Sequence, residues 1–165
     1  MGGLSLDEIK AEVWGRFGET QRVYLGTAEA DQPRVRPVTL LNLDERLWIA
    51  TSIRSGKTRQ VRRNPNVEFC LPIHEEAGDG YVRVAGIASI VTEPATKESV
   101  GGRIPFLSQY WDGVDDPGFC LIRITRVEIE YLRPGDDDAT TFIVRSQAPR
   151  ITGCADVPDA DPGPP

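Results

Sequence analysis

"RPVTLLNLDERLWIATSIRSGKTRQVRRNPNVEFCLPI", residues 36–73, holds three apolar runs, with a short basic segment between the second and the third. Val67, Phe69, Leu71 and Ile73 share one parity in the last run, as a half-buried strand requires. Asp44 and Glu45 are the only break between the first two runs, and connections this short join antiparallel neighbours rather than parallel crossovers. The basic segment nearly spells the triphosphate loop G-x-x-x-x-G-K-[ST], with Thr51 where the first glycine belongs and Gly56, Lys57 and Thr58 in register. That loop needs the missing glycine for its tight backbone, a parallel sheet around it and an acidic strand end for magnesium. An antiparallel reading offers none of them. What survives is Ser55 as an N-cap, unpaired amides at a helix start, and a dipole that favours an anion, with Lys57 and Arg54 beside it. Asn64 precedes Pro65, so the helix ends after about two turns. Spacing alone leaves a phosphate site and a capped surface helix with solvated cations equally open.

Working outward, "SLDEIKAEVWGRFG" opens with a capping box, Ser5 and Glu8, and sets Leu6, Ile9, Val13 and Phe17 on one face. This predicts a helix over residues 5–17. "RVYLGTAEA" and "PRVRPVTLLNL" read as a hairpin turning at Asp31 to Pro33. "YVRVAGIASIVTE" is a long strand with Gly86 placed to let it bend. In "FCLIRITRVEIEYL" the apolar parity slips by one between Ile124 and Val127, the mark of a bulge or corner in a closed or half-closed barrel. Pro94 to Trp111 reads as helix broken at Gly101, Gly102 and Pro105, and its apolar set Phe106, Leu107, Tyr110 and Trp111 has no evident partner within the chain.

The chain has 165 residues, enough for one domain with a real core. Three separated cysteines and a single histidine, His74, argue against a zinc site or a disulfide framework, and Cys70 and Cys120 read as packing residues. The absence of a membrane-length apolar run and of a signal pattern at Met1 to Ser5 leads us to expect a cytoplasmic protein. Net charge is -6, yet Arg54 to Arg63 carries five cations and no acid. A local basic site on an acidic protein suits a small phosphorylated ligand better than a nucleic acid, which wants a broad basic face. Residues 134–165 are acidic and rich in Pro and Gly, and are expected to form a solvated extension beyond a domain of residues 1–133.

The combination Arg36-x-Val38, a strand ending Ala50-Thr51, Ser55-x-Lys57-x-x-Gln60, and Asn64-Pro65-x-Val67 resembles the pyridoxamine 5'-phosphate oxidase-like flavoproteins. The likeness covers residues 5–133, and "YWDGVDDPGFCLIRITRVEIEYLRPG" is similar to the general stress protein branch. It implies a mainly β fold, an antiparallel split β-barrel with an N-terminal helix and a short phosphate-binding helix. It implies FMN as cofactor, with Arg36, Arg54, Ser55 and Lys57 at the phosphate and Gln60 completing the motif. Val38, Thr39, Ala50, Thr51 and Ser52 would line the ring. It further implies a homodimer sharing each cofactor, to which Tyr81 and Trp111 would contribute from the second chain. The chain departs from the vitamin-converting oxidase at Gly56, Leu41 and Tyr81, and lacks its C-terminal R-x-H signature. The resemblance therefore points to an oxidoreductase or flavin reductase acting on another small-molecule redox substrate, with no catalytic side chain assigned. A deazaflavin-dependent reductase and a non-enzymatic flavin sensor or storage protein stay open. Haem, bound elsewhere in the same fold, is disfavoured by the single histidine.

Overall fold

The computed structural model describes residues 4–144. Its elements run α1 (Leu6–Arg16), β1 (Thr20–Glu29), β2 (Gln32–Leu43), β3 (Arg46–Ser52), α2 (Gly56–Arg63), β4 (Asn66–Glu75), β5 (Gly78–Ile90), α3 (Pro94–Gly101), α4 (Leu107–Tyr110), β6 (Phe119–Leu132) and β7 (Thr140–Val144). The strands lie in the order β3-β2-β1-β4-β5-β6-β7, and a further β3–β6 pairing curls the sheet into a barrel. Every pairing is antiparallel. The structure is the mainly β split barrel that the resemblance implies.

Two seams are weak. β1 meets β4 at only three positions, Tyr24 to Gly26 against Cys70 to Glu68. β2 meets β3 only beside their turn, Leu41 to Leu43 against Trp48 to Arg46. That turn places both Asp44 and Glu45 at positive φ, the twist a two-residue hairpin demands.

Inward residues of the six barrel strands form one core with Val13 of α1, Phe17 at its C-cap and Val61 of α2. The two helices lie at opposite ends: Arg16 bonds Glu75 at the end of β4, whereas Gln60 bonds Thr27 near the end of β1. The capping box forms, with Ser5 N–H donating to Glu8 Oε2 (2.8 Å). Leu6, expected on the buried face, is instead 48 % exposed because α1 engages the barrel through its later turns.

The parity slip is a β-bulge. Ala85 faces Glu128 but Ile87 faces Thr125, so β6 carries one extra residue. Beside it, a Cβ at Gly86 would stand 2.8 Å from Ile124 Cγ2, closer than packed atoms approach.

Two expectations need correction. The apolar set around α4 is not left unpartnered: Phe106, Leu107 and Trp111 pack on a second cluster of Leu41, Leu43, Trp48, Val100, Ile104, Phe119 and Leu121 on the outer barrel face. Only Tyr110 stays widely exposed, at 69 %. The extension does not leave the fold at residue 134 either. Thr140–Val144 pair with the second half of β6 and bury Phe142, because the bulge turns that half away from β3 and frees its edge. Residues 145–165, and with them Cys154, lie outside the described residues.

Candidate functional site

Past Leu41 and Trp48 the ladder between β2 and β3 stops. β2 continues along β1, and β3 runs on β6 from Leu47–Ile124 to Ser52–Phe119. The facing edges therefore diverge, and a cavity of about 500 Å³ opens between them. Pro37, Val38 and Thr39 form one wall and Ile49 to Ser52 the other, with Lys57 and the aromatic side chains of Phe106, Tyr110 and Trp111 around them. Its size and its mixture of apolar walls with a few polar groups suit a small planar ligand. Strand edges not paired to each other add backbone donors and acceptors for such a ligand's polar rim.

The charged corner is built on α2. Ser55 caps it, accepting from the Thr58 N–H (3.3 Å), while the Thr58 hydroxyl donates to Ser52 O (2.9 Å) and fixes the helix start to the end of β3. Lys57 Nζ donates to the Thr51 hydroxyl (2.8 Å) and, among the described residues, has no ion-pair partner. Burial pushes its pKa down, and the nearby Arg36 adds to this. Burial lowers Arg36 too, with Arg34 contributing. Two cations disfavoured by burial, and by each other in the case of Lys57, are a standing electrostatic demand for an anion.

Arg36 is committed elsewhere as well. Its Nη1 donates to Thr27 Oγ1 (2.7 Å) and its Nη2 to Gln60 Oε1 (2.9 Å), while the Thr27 hydroxyl donates to the same Gln60 oxygen (2.6 Å). Gln60 Nε2 donates to Glu29 (3.2 Å), which also pairs with Arg59. This circuit ties α2 to β1 and β2.

Of the residues predicted for the site, Val38, Thr39, Ala50, Thr51, Ser52, Lys57 and Trp111 line the cavity. Ser55 stands directly behind Thr51, 3.4 Å from its hydroxyl. Arg36 and Gln60 sit beside the corner in their own circuit, and Arg54 is exposed, its N–H on Ser52 Oγ (3.2 Å). Tyr81 is not brought to the cavity of its own chain; its hydroxyl donates to Glu130 (2.6 Å) at the start of β5. Trp111, expected to reach a second chain, lines the cavity of its own because α4 folds back over β3. Sequence reasoning missed Phe106 and Tyr110 as site residues. Their signal was present as an apolar set, but nothing in the sequence says which strand edge that set lies against. His74 bonds Asp79 on the exposed β4–β5 hairpin, outside the groove.

A second cavity, about 520 Å³, lies at the β1–β4 seam and is lined by Glu68 and Glu128 with Asn64 and Asn66. Carboxylates there oppose an anion, so charge selects the groove beside Lys57. Among the described residues no cluster of His, Cys, Asp and Glu is placed to hold a metal ion, and no helix is long and apolar enough to cross a membrane.

An antiparallel barrel, split between two strands above a cationic helix start and walled on one side by aromatic rings, defines a split-barrel protein with a groove whose charge suits a small anionic ligand. The sequence profile of the Pyridoxamine 5'-phosphate oxidase family matches residues 9–133, and the chain belongs to that family. It is 29% identical over 134 residues to General stress protein 26 of Bacillus subtilis (strain 168), covering 81% of this chain and 94% of that one. Among solved structures, General Stress Protein 26 from Bacillus anthracis str. Sterne superposes with a TM-score of 0.66 at 23% identity, covering 83% of this chain and 99% of that one. A heme binding protein from Mycobacterium smegmatis shares the fold alone, with a TM-score of 0.66 at 15% identity over 87% of this chain and 60% of that one.

Proposed function

We propose that this protein binds FMN in the β2–β3 groove and serves as an oxidoreductase for a small-molecule redox substrate, as a cytoplasmic homodimer with the cofactor at its interface. The observation that carries the reading is Lys57: a half-buried cation without an ion-pair partner among the described residues, lining a groove with Val38, Ile49, Ala50 and Trp111. Lys57 and the amides at the start of α2 would hold the phosphate, with Arg54 free to swing onto it and Arg36 adding charge from behind. Val38, Thr39, Ala50 and Thr51 would bracket the ring, and Trp111 with Phe106 would exclude water from one side. When bound, FMN supplies electron-transfer chemistry that no side chain here provides. Among the described residues β7 is an edge strand, and Tyr110 stands exposed at the groove mouth where a second chain would cover it.

Calorimetric titration of the wild type and of Lys57→Ala with FMN and with riboflavin tests the reading. A charge-assisted phosphate contact is worth about 1.5–3 kcal/mol, so the substitution weakens FMN roughly tenfold or more and leaves riboflavin unchanged. Equal loss of both ligands would make Lys57 structural, and binding of a deazaflavin alone would overturn the cofactor. Bleaching of the bound flavin's visible absorbance by NADH or NADPH, with turnover on adding an acceptor, separates an enzyme from a sensor or store.

A further inference from the structure

We propose that Asp116 is a positioning residue that fixes Trp111 as the wall of the groove, an inference that rests on reading the groove as a ligand site. The loop from Trp111 to Gly118 joins α4 to β6, and the Asp116 carboxylate closes it. Oδ2 accepts from the Asp112 N–H (3.0 Å) and Oδ1 from the Gly118 N–H (2.7 Å). The first bond holds the residue directly after Trp111, and the second holds the residue directly before Phe119. Gly118 lies between carboxylate and indole: a Cβ there would stand 3.1 Å from Asp116 Oδ1 and 3.8 Å from Trp111 Cδ1. The indole meets the Phe119 ring edge-on at 5.1 Å between centroids. Gly118 O in turn accepts from the Ile53 N–H (2.9 Å), so the same loop is anchored to the segment between β3 and α2 that carries the cationic corner. Turn bonds from Asp116 N–H to Gly113 O (3.3 Å) and from Phe119 N–H to Asp116 O (2.9 Å) complete the clamp. Gly113, at φ 150°, takes a backbone conformation that side chains resist. The two backbone donors hold the Asp116 carboxyl below its ordinary pKa, as bonds to the ionised form do.

The test uses the full chain labelled with 5-fluorotryptophan, in which Trp14, Trp48 and Trp111 each give a fluorine resonance and Trp111→Phe assigns the third. Asp116→Ala is expected to shift or broaden the Trp111 resonance and leave the other two in place. Asp116→Asn retains one acceptor oxygen, so it moves that resonance less, and it serves as the readout should the alanine variant fold poorly. In calorimetry Asp116→Ala weakens FMN roughly three- to tenfold, and adds nothing in a Trp111→Ala background, since contacting residues couple. An unmoved Trp111 resonance, or an equal loss of affinity in both backgrounds, overturns the proposal. If the wild type takes up no FMN, the ligand assignment fails instead, and the fluorine spectrum still decides the role of Asp116.

Discussion

Gln60 is 4 % exposed, and its side-chain oxygen receives both Arg36 and Thr27. Replacing it with leucine removes that acceptor from the buried Thr27 hydroxyl and the half-buried Arg36 guanidinium, and an unsatisfied buried group costs about 1–3 kcal/mol. Gln60→Leu should therefore lower unfolding stability by that amount in urea titration, although Gln60 does not line the cavity. Glu12 gives a pH dependence. Burial works against its ionisation, but its Oε1 accepts from Tyr131 (2.8 Å), Arg16 (3.1 Å) and Arg133 (3.2 Å), and these bonds outweigh burial to leave its pKa below the ordinary value. A depressed folded pKa means the stabilisation is full above the unfolded value, about 4.3, and is lost as pH falls through the folded one. Glu12→Gln should thus be less stable at neutral pH and show a shallower acid limb when urea midpoints are compared down to about pH 3.

At the scale of elements, the bulge in β6 and the glycine facing it act together. A methyl group at Gly86 would meet Ile124 Cγ2 at 2.8 Å and Thr125 O at 3.0 Å, and neither strand can retreat without opening the β5–β6 ladder. Gly86→Ala is expected to cost about 1–3 kcal/mol by overpacking. Gly15, within α1, has nothing within 4 Å of an added Cβ. There the same substitution should raise stability by about 0.4–1 kcal/mol, by restricting the unfolded chain and improving helix propensity. Thermal unfolding of the pair, in opposite directions from the wild type, checks the contrast.

For the whole molecule, a ligand that binds only the folded state stabilises it by mass action, about 2.7 kcal/mol at a hundredfold excess over its Kd. FMN should therefore raise the melting temperature, and riboflavin should do so less at equal concentration. If the groove is completed by a second copy, FMN also raises the dimer fraction on dilution. Tyr110→Asp, at a side chain 69 % exposed in the single chain, should then shift sedimentation toward monomer with little loss of monomer stability. A flavin-bound monomer at micromolar concentration would remove the interface from the proposal.

Much of this architecture was legible from local pattern. Alternation marked the strands, the Asp44–Glu45 break marked the tight hairpin, the capping residues marked α1 and α2, and the parity slip marked the bulge, because each is set by neighbours within a few residues. The family resemblance likewise groups Val38, Thr39, Ala50, Thr51, Ser52 and Lys57, and all six line the groove. What local pattern does not encode is which distant surfaces meet. The covering of the outer barrel face by α3 and α4, the seating of Trp111 in its own groove and the addition of β7 beyond residue 134 follow from long-range burial. Arg36 shows the same limit at one side chain: the resemblance put its charge at the phosphate corner, but its bonds to Thr27 and Gln60 exist only because β1, β2 and α2 converge. The sequence determined the elements and the chemistry available to them. The tertiary structure alone decided where two strands part, since a ladder ends where a better-paired neighbour draws each strand away, and that parting makes the groove.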